Sequence, residues 1–173
     1  MKVIVDTSTL ISLARIGELH RLVRIGKGLV APEVVYHEAV VEGEKKGITD
    51  ATIIKGYFSN HSIRMEKVDK VSWDNLRRRL SKVVERGDHA ILALATQEKA
   101  YEIITDDEGL AKIAISLGFK VTASPDLLLE ALKNKDIGFD EFENGIRNLV
   151  IENRLSSRVA EIYIIEGKSY EKK

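Results

Sequence analysis

The chain has 173 residues, enough for one domain with a full hydrophobic core. Hydrophobic residues make up 44% and charged residues 31%, which excludes a disordered chain; the absence of Cys excludes disulfides, thiolate chemistry and Cys-based zinc sites. The 27 basic and 27 acidic residues cancel, which excludes a uniformly basic nucleic-acid binder but not one with segregated charge.

Residues 2–6 are short, apolar and β-branched and predict a buried strand. Thr7, Ser8 and Thr9 supply helix N-cap candidates, and Leu10, Leu13, Ala14 and Ile16 follow at helical spacing up to a stop at Gly17. A short helix is expected over 18–23 and a second strand over 28–31. Pro32 suits the first turn of the next helix, which carries Val34, Val35, Glu38 and Val41 and ends near Gly43 or Gly47. Another helix runs from Thr49 or Asp50 to about Tyr57. A third strand is expected over 62–68, then a basic amphipathic helix with Trp73, Leu76, Leu80, Val83 and Val84 on one side. Gly87-Asp88 opens a helix to about Lys99 that is apolar almost all round, so it is expected to be buried between layers. Strands over 102–105 and 119–122 alternate with helices over 108–117 and 124–135. Further helices are expected over 140–153 and 157–165. No apolar run reaches membrane-spanning length, and the N-terminus enters a strand without a charged leader or cleavage site, so no membrane and a cytoplasmic location are expected. The four His residues lack zinc-motif spacing.

Strands alternating with helices predict a parallel sheet covered on both faces, the doubly wound α/β form. In such a sheet, ligands bind at the edge where strand C-termini meet helix N-termini. Asp6 ends the first strand, Asp88 starts a helix, and Asp106 and Asp107 follow the fourth strand; Glu38 lies within a helix that fits the same edge. Each acid alone has an ordinary explanation as a cap, a turn or a solvated side chain. Together they form a hard-oxygen set suited to Mg²⁺ or Mn²⁺, ions that lower the pKa of bound water and clamp phosphoryl oxygens.

The chain resembles the PIN domain, the ribonuclease fold of VapC-type toxins and related RNA-processing nucleases. The matching segments are Val3-Ile4-Val5-Asp6-Thr7-Ser8, residues 32–38 ending in Glu38, residues 87–95 beginning Gly87-Asp88, and Ile103-Ile104-Thr105-Asp106-Asp107. The resemblance covers residues 1 to about 135 and is nearest to an uncharacterised prokaryotic VapC-like branch. It implies a three-layer α/β/α fold with a central parallel sheet of four to five strands. It also implies a nuclease domain over 1–135 and a C-terminal helical extension over 136–173, packed on the domain, at a dimer interface or in the groove. Asp6 would be the central metal ligand and Asp88 the second, with Glu38 and Asp107 holding metal directly or through water. Asp107, two residues after Thr105, matches the family's last acid, and Asp106 would share its role. Ser8 and Thr105 would orient a carboxylate or water. The implied reaction is hydrolysis of RNA phosphodiesters by a metal-activated water, with no covalent nucleophile. The implied partners are RNA, a small antitoxin if the chain is a toxin, and a second copy in a homodimer. Leu110 stands where the family often has an aromatic.

Arg77, Arg78, Arg79 and Lys82 form, with Arg86, the densest basic cluster; it is a solvated helix face or a contact for RNA phosphates. Trp73 is read as core, with base stacking as its alternative. Neither His37 nor His89 is expected to be a ligand, because helix neighbours point about 100° apart. Aspartyl phosphotransfer in the haloacid dehalogenase style needs Asp-x-Asp after the first strand, and Ser8 occupies the third position. A catalytically silent scaffold that binds RNA or a protein remains the non-enzymatic alternative.

Overall fold

The computed structural model describes residues 2–25, 28–80 and 84–171. β1 (Lys2–Val5) lies at the centre of a five-stranded, wholly parallel sheet. Its Val3, Ile4 and Val5 are fully buried, as expected of a strand covered on both faces. β2 (Gly28–Pro32) and β3 (Ile63–Glu66) extend the sheet on one side; β4 (Glu102–Ile104) and β5 (Lys120–Thr122) extend it on the other. The order is β3-β2-β1-β4-β5. The chain therefore builds outward from β1 in one direction, then returns to pair β4 with β1 in the other. A crevice at the C-terminal ends of β1 and β4 follows from that reversal.

Helices cover both faces, giving three α/β/α layers. α1 (Thr7–Arg15) follows β1 and α2 (His20–Arg24) precedes β2. α3 (Glu33–Tyr36) continues through a π-helical segment, His37–Val41, into α4 (Glu42–Lys45). Pro32 caps this helix in extended conformation (φ −70°, ψ 156°) rather than entering its first turn. α5 (Thr49–Ser59) leads to β3. α6 (Lys70–Arg79) is shorter than the apolar spacing predicts. Leu80 is extended (φ −82°, ψ 125°), so Leu80 and Val84 do not continue the helical stripe, and Val83 lies outside the described residues.

α7 (Arg86–Gln97) is buried continuously from His89 to Ala95, as its composition predicts. Its opening differs from the expectation. Glu85 occupies the N-cap position and Asp88 is the third helical residue, so Asp88 is not the cap. α8 (Glu108–Ser116) and α9 (Ser124–Lys133) flank β5 in sequence. Glu102, buried within β4, is held by Thr122 Oγ1 at 2.5 Å and Lys120 Nζ at 2.8 Å, both from β5. These two donors compensate a carboxylate taken out of water.

α10 (Phe139–Ile151) and α11 (Ser157–Glu171) pack on α9. A second apolar cluster forms there from Leu128, Leu132, Phe142, Ile146, Leu149 and Ile164. Tyr163 of α11 donates to Asp126 Oδ1 of α9 at 2.6 Å. The helices approach closely at two glycines: a Cβ on Gly145 would lie 3.0 Å from Leu128, and one on Gly167 only 2.3 Å from the Phe142 ring. Gly167→Ala is expected to lower the unfolding free energy by about 1–3 kcal/mol through overpacking, although Ala is the better helix former. Gly56→Ala in α5, with nothing within 4 Å of the new Cβ, is expected to leave stability unchanged or raise it. Urea denaturation of both variants checks the contrast.

Candidate active site

Asp6 leaves the end of β1 and becomes the N-cap of α1, and its carboxylate is 7% exposed. Oδ1 accepts from the Thr7 backbone N–H at 2.6 Å. Oδ2 accepts from Ser8 Oγ at 2.5 Å and Thr105 Oγ1 at 2.8 Å. Of the candidate caps of α1, Asp6 takes the position rather than Thr7, Ser8 or Thr9. Burial pushes the Asp6 carboxyl above its ordinary range, and these hydrogen bonds pull against that shift. Ser8 and Thr105 are joined to the β4–α8 turn as well: Asp106 N donates to Ser8 Oγ and Asp107 N to Thr105 Oγ1, both at 3.0 Å. β1 and β4 are locked together by this network where the chain reverses.

Glu38 enters from the π-helical segment, and its Oε2 accepts from Thr7 Oγ1 at 2.9 Å. A π turn widens the helix by one residue and re-aims the side chains after it, a feature common at functional sites. Glu38 also reaches α7, where a Cβ on Gly87 would lie 3.3 Å from its Oε1. Asp107 caps α8 through Oδ1, which accepts from Leu110 N at 2.7 Å. Asp88 projects from the first turn of α7 without a hydrogen bond among the described residues. Its carboxyl is pushed up to about 6, first by burial and then by the negative charges of Asp107, Asp6, Glu85 and Glu38. The four acids expected from the sequence therefore share one electrostatic field.

Asp106 is directed elsewhere. Both its carboxylate oxygens bind Ser124 at the start of α9, from N and Oγ at 2.7 Å each, so only its backbone N–H serves the Ser8 side of the network. Two participants escaped the sequence reading. Thr7 positions Glu38, and Glu85 adds a fifth negative charge; the spacing of Glu85 three residues before Asp88 at a helix start was its available signal. Arg77, Arg78 and Arg79 are exposed on α6, with Arg78 folded back onto Asn75 Oδ1 and the Asp74 carbonyl. Lys82 lies outside the described residues. Trp73 is half-buried, and its ring lies 4.1 Å from that of His89, whose nitrogens meet no hydrogen-bond partner among the described residues.

A family model described as a PIN domain matches residues 2–164. The chain belongs to the PIN-domain family. Its match runs past residue 135, through α10 and into α11. No curated protein matches the chain. PIN domains are generally nucleases, and such nucleases generally use divalent metals.

The donor set of this PIN domain suits a hard divalent cation. Its donors are all carboxylate oxygens, and Asp88, raised first by burial, also feels the negative charges of Asp107, Asp6 and Glu38. Among the described residues, no three His, Asp or Glu side chains stand close enough to hold an ion jointly as they lie. Asp6, Glu38, Asp88 and Asp107 are the residues that would hold it. Among the described residues, no helix is long and apolar enough to cross a membrane.

The Asp88 shift has a sign that can be tested. Between about pH 4 and about pH 6 the folded chain keeps a proton that the unfolded chain has released. Stability therefore falls as pH rises through that window, and the penalty is complete above it. In chelator at neutral pH, Asp88→Asn is expected to raise the melting temperature by about 2–4 °C. This corresponds to about 1 kcal/mol in a domain of this size, reduced by solvent screening of the exposed side of the carboxylate. The gain should vanish below about pH 4; differential scanning fluorimetry across pH reads it.

Proposed function

We propose that this PIN domain is a divalent-metal-dependent endoribonuclease that hydrolyses RNA phosphodiesters by attack of an activated water. The observation that carries the reading is the buried Asp6 carboxylate, held by three donors among acids that raise the Asp88 pKa. A carboxylate fixed in this way is pre-oriented, and its neighbours concentrate negative charge that suits Mg²⁺ or Mn²⁺. When bound, such an ion supplies Lewis-acid stabilisation of phosphoryl charge and lowers the pKa of a coordinated water.

The chain's own groups have separate tasks in this proposal. Asp6, Glu38, Asp88 and Asp107 hold the ion. Ser8 and Thr105 keep Asp6 in one rotamer by donating to its Oδ2, and Thr7 does the same for Glu38. None of these groups serves as a covalent nucleophile. Exposed Arg77, Arg78 and Arg79 on α6, with Lys82, are proposed to contact RNA phosphates away from the bond that breaks. We place the activity in the cytoplasm and propose a toxin role, with a small antitoxin as the controlling partner and a homodimer as the working form.

A silent scaffold keeps the same fold and predicts RNA binding without turnover, so one assay separates the two readings. Cleavage of a fluorogenic RNA in Mg²⁺ or Mn²⁺ is expected from the wild type and is lost with chelator. Asp6→Asn is expected to reduce the rate about a hundredfold or more while remaining folded by circular dichroism. Full activity in that variant overturns the assignment of Asp6. Thr105→Val, which leaves Asp6 one donor short, is expected to reduce the rate about 10–100-fold. The toxin role is checked by inducing the chain in growing bacteria: arrest by the wild type and not by Asp6→Asn is the expected result.

A further inference from the structure

The two edges of the sheet are finished differently. β5 is three residues long, and its Lys120 and Thr122 side chains are both engaged on Glu102. β3 is the other edge, and among the described residues no strand pairs beyond it. The outer N–H and C=O groups of β3 therefore form an open ladder, a template for a further strand. Ile63–Glu66 contains no Pro, Gly or Lys that would blunt such an edge.

Side chains alternate along a strand, so Arg64 and Glu66 share one face of this edge and Ile63 and Met65 share the other. Arg64 is exposed and Glu66 half-buried, and among the described residues neither forms an ion pair or a side-chain hydrogen bond. Met65 is 48% exposed although it sits in the sheet. Beside it is a hollow of about 430 Å³, lined also by Tyr36, Phe58 and Ile63. The strand thus carries an unpaired cation and an unpaired anion two residues apart, with an uncovered thioether between them.

That pattern is self-complementary. An edge guarded by one sign of charge repels its own copy; opposite signs two residues apart attract it in one register. When two identical edges meet about a twofold axis standing on the sheet, the strands run antiparallel. Centred on Met65, such a pair puts Arg64 opposite Glu66 of the second copy and Glu66 opposite its Arg64. Directly opposed residues of an antiparallel pair point to the same face, so both ion pairs close there. The two Met65 side chains meet on the other face, and an unbranched thioether suits the irregular space of the hollows. We propose that β3 is the interface of a homodimer, two copies joining edge to edge, antiparallel and centred on Met65, into one ten-stranded sheet. The inference rests on the homodimer reading above and on none of its chemistry. The added ladder is short, so a dimer of micromolar strength is expected.

Sedimentation velocity of the full chain tests it, over loadings from about 1 µM to about 1 mM that bracket such an equilibrium. The wild type is expected to pass from monomer to dimer within that range. Arg64→Glu and Glu66→Arg each set like charges opposite one another twice, and each is expected to weaken self-association at least about tenfold. Mixed in equal amounts, the two variants restore both opposite-charge pairs, and a heterodimer of near wild-type strength is expected. Circular dichroism and melting temperature check that each variant is folded. A wild type that stays monomeric overturns this interface and the homodimer reading together. Dimers that survive both single substitutions overturn this interface and leave the homodimer to another surface. Loss in the single variants without recovery in the mixture overturns the register, and the proposal with it. None of these outcomes touches the assignment of the acids.

Discussion

The Asp6 carboxylate is the constraint on which the rest of the site depends. It ends the central strand, caps α1 and accepts hydroxyl donors from α1 and from the end of β4. A carboxylate that is 7% exposed cannot remain charged without such donors, and three of them hold it in one orientation. The same bonds close the crevice between β1 and β4, where the sheet order reverses. Fold and site therefore share one set of hydrogen bonds, and a change that loosens the site also loosens the centre of the sheet.

Around that fixed point the other acids arrive by different local devices. Glu38 depends on a π-helical segment and on Thr7. Asp107 is held by its task as a cap. Asp88 has no hydrogen-bonding task among the described residues, and its pKa is raised first by burial and then by the repulsion of its neighbours. This arrangement stores a local destabilisation that a cation would relieve, the trade between stability and function common in binding sites.

The C-terminal helices contribute more than added bulk. Through Leu128, Phe142, Ile146 and Ile164 they complete a second apolar cluster on α9, and through Tyr163 they fix Asp126 at the start of that helix. The start of α9 in turn holds Asp106 away from the acid cluster. Of the five acids, the one adjacent pair is thereby sorted by packing: Asp107 faces the shared field while Asp106 serves the scaffold.

The sequence by itself determined the α/β class, the alternation of strands and helices and the parallel sheet, and it marked four acids whose charges reach one another. These follow from short-range pattern: β-branched apolar runs, helical spacing, and polar residues at the ends of elements. Tertiary structure decided what such patterns do not encode. The α6 stripe stops at Arg79 because Leu80 turns extended, although the apolar spacing runs on. α7 begins at Arg86, three residues before the His89 start that a cap at Asp88 implies, which frees Asp88 from capping. The diversion of Asp106 to Ser124 and the hold of Thr7 on Glu38 arise from contacts between residues distant in the chain. A carboxylate or a guanidinium looks the same in sequence whether it caps, clamps or waits for a ligand; only the surrounding donors, charges and solvent exclusion set its role.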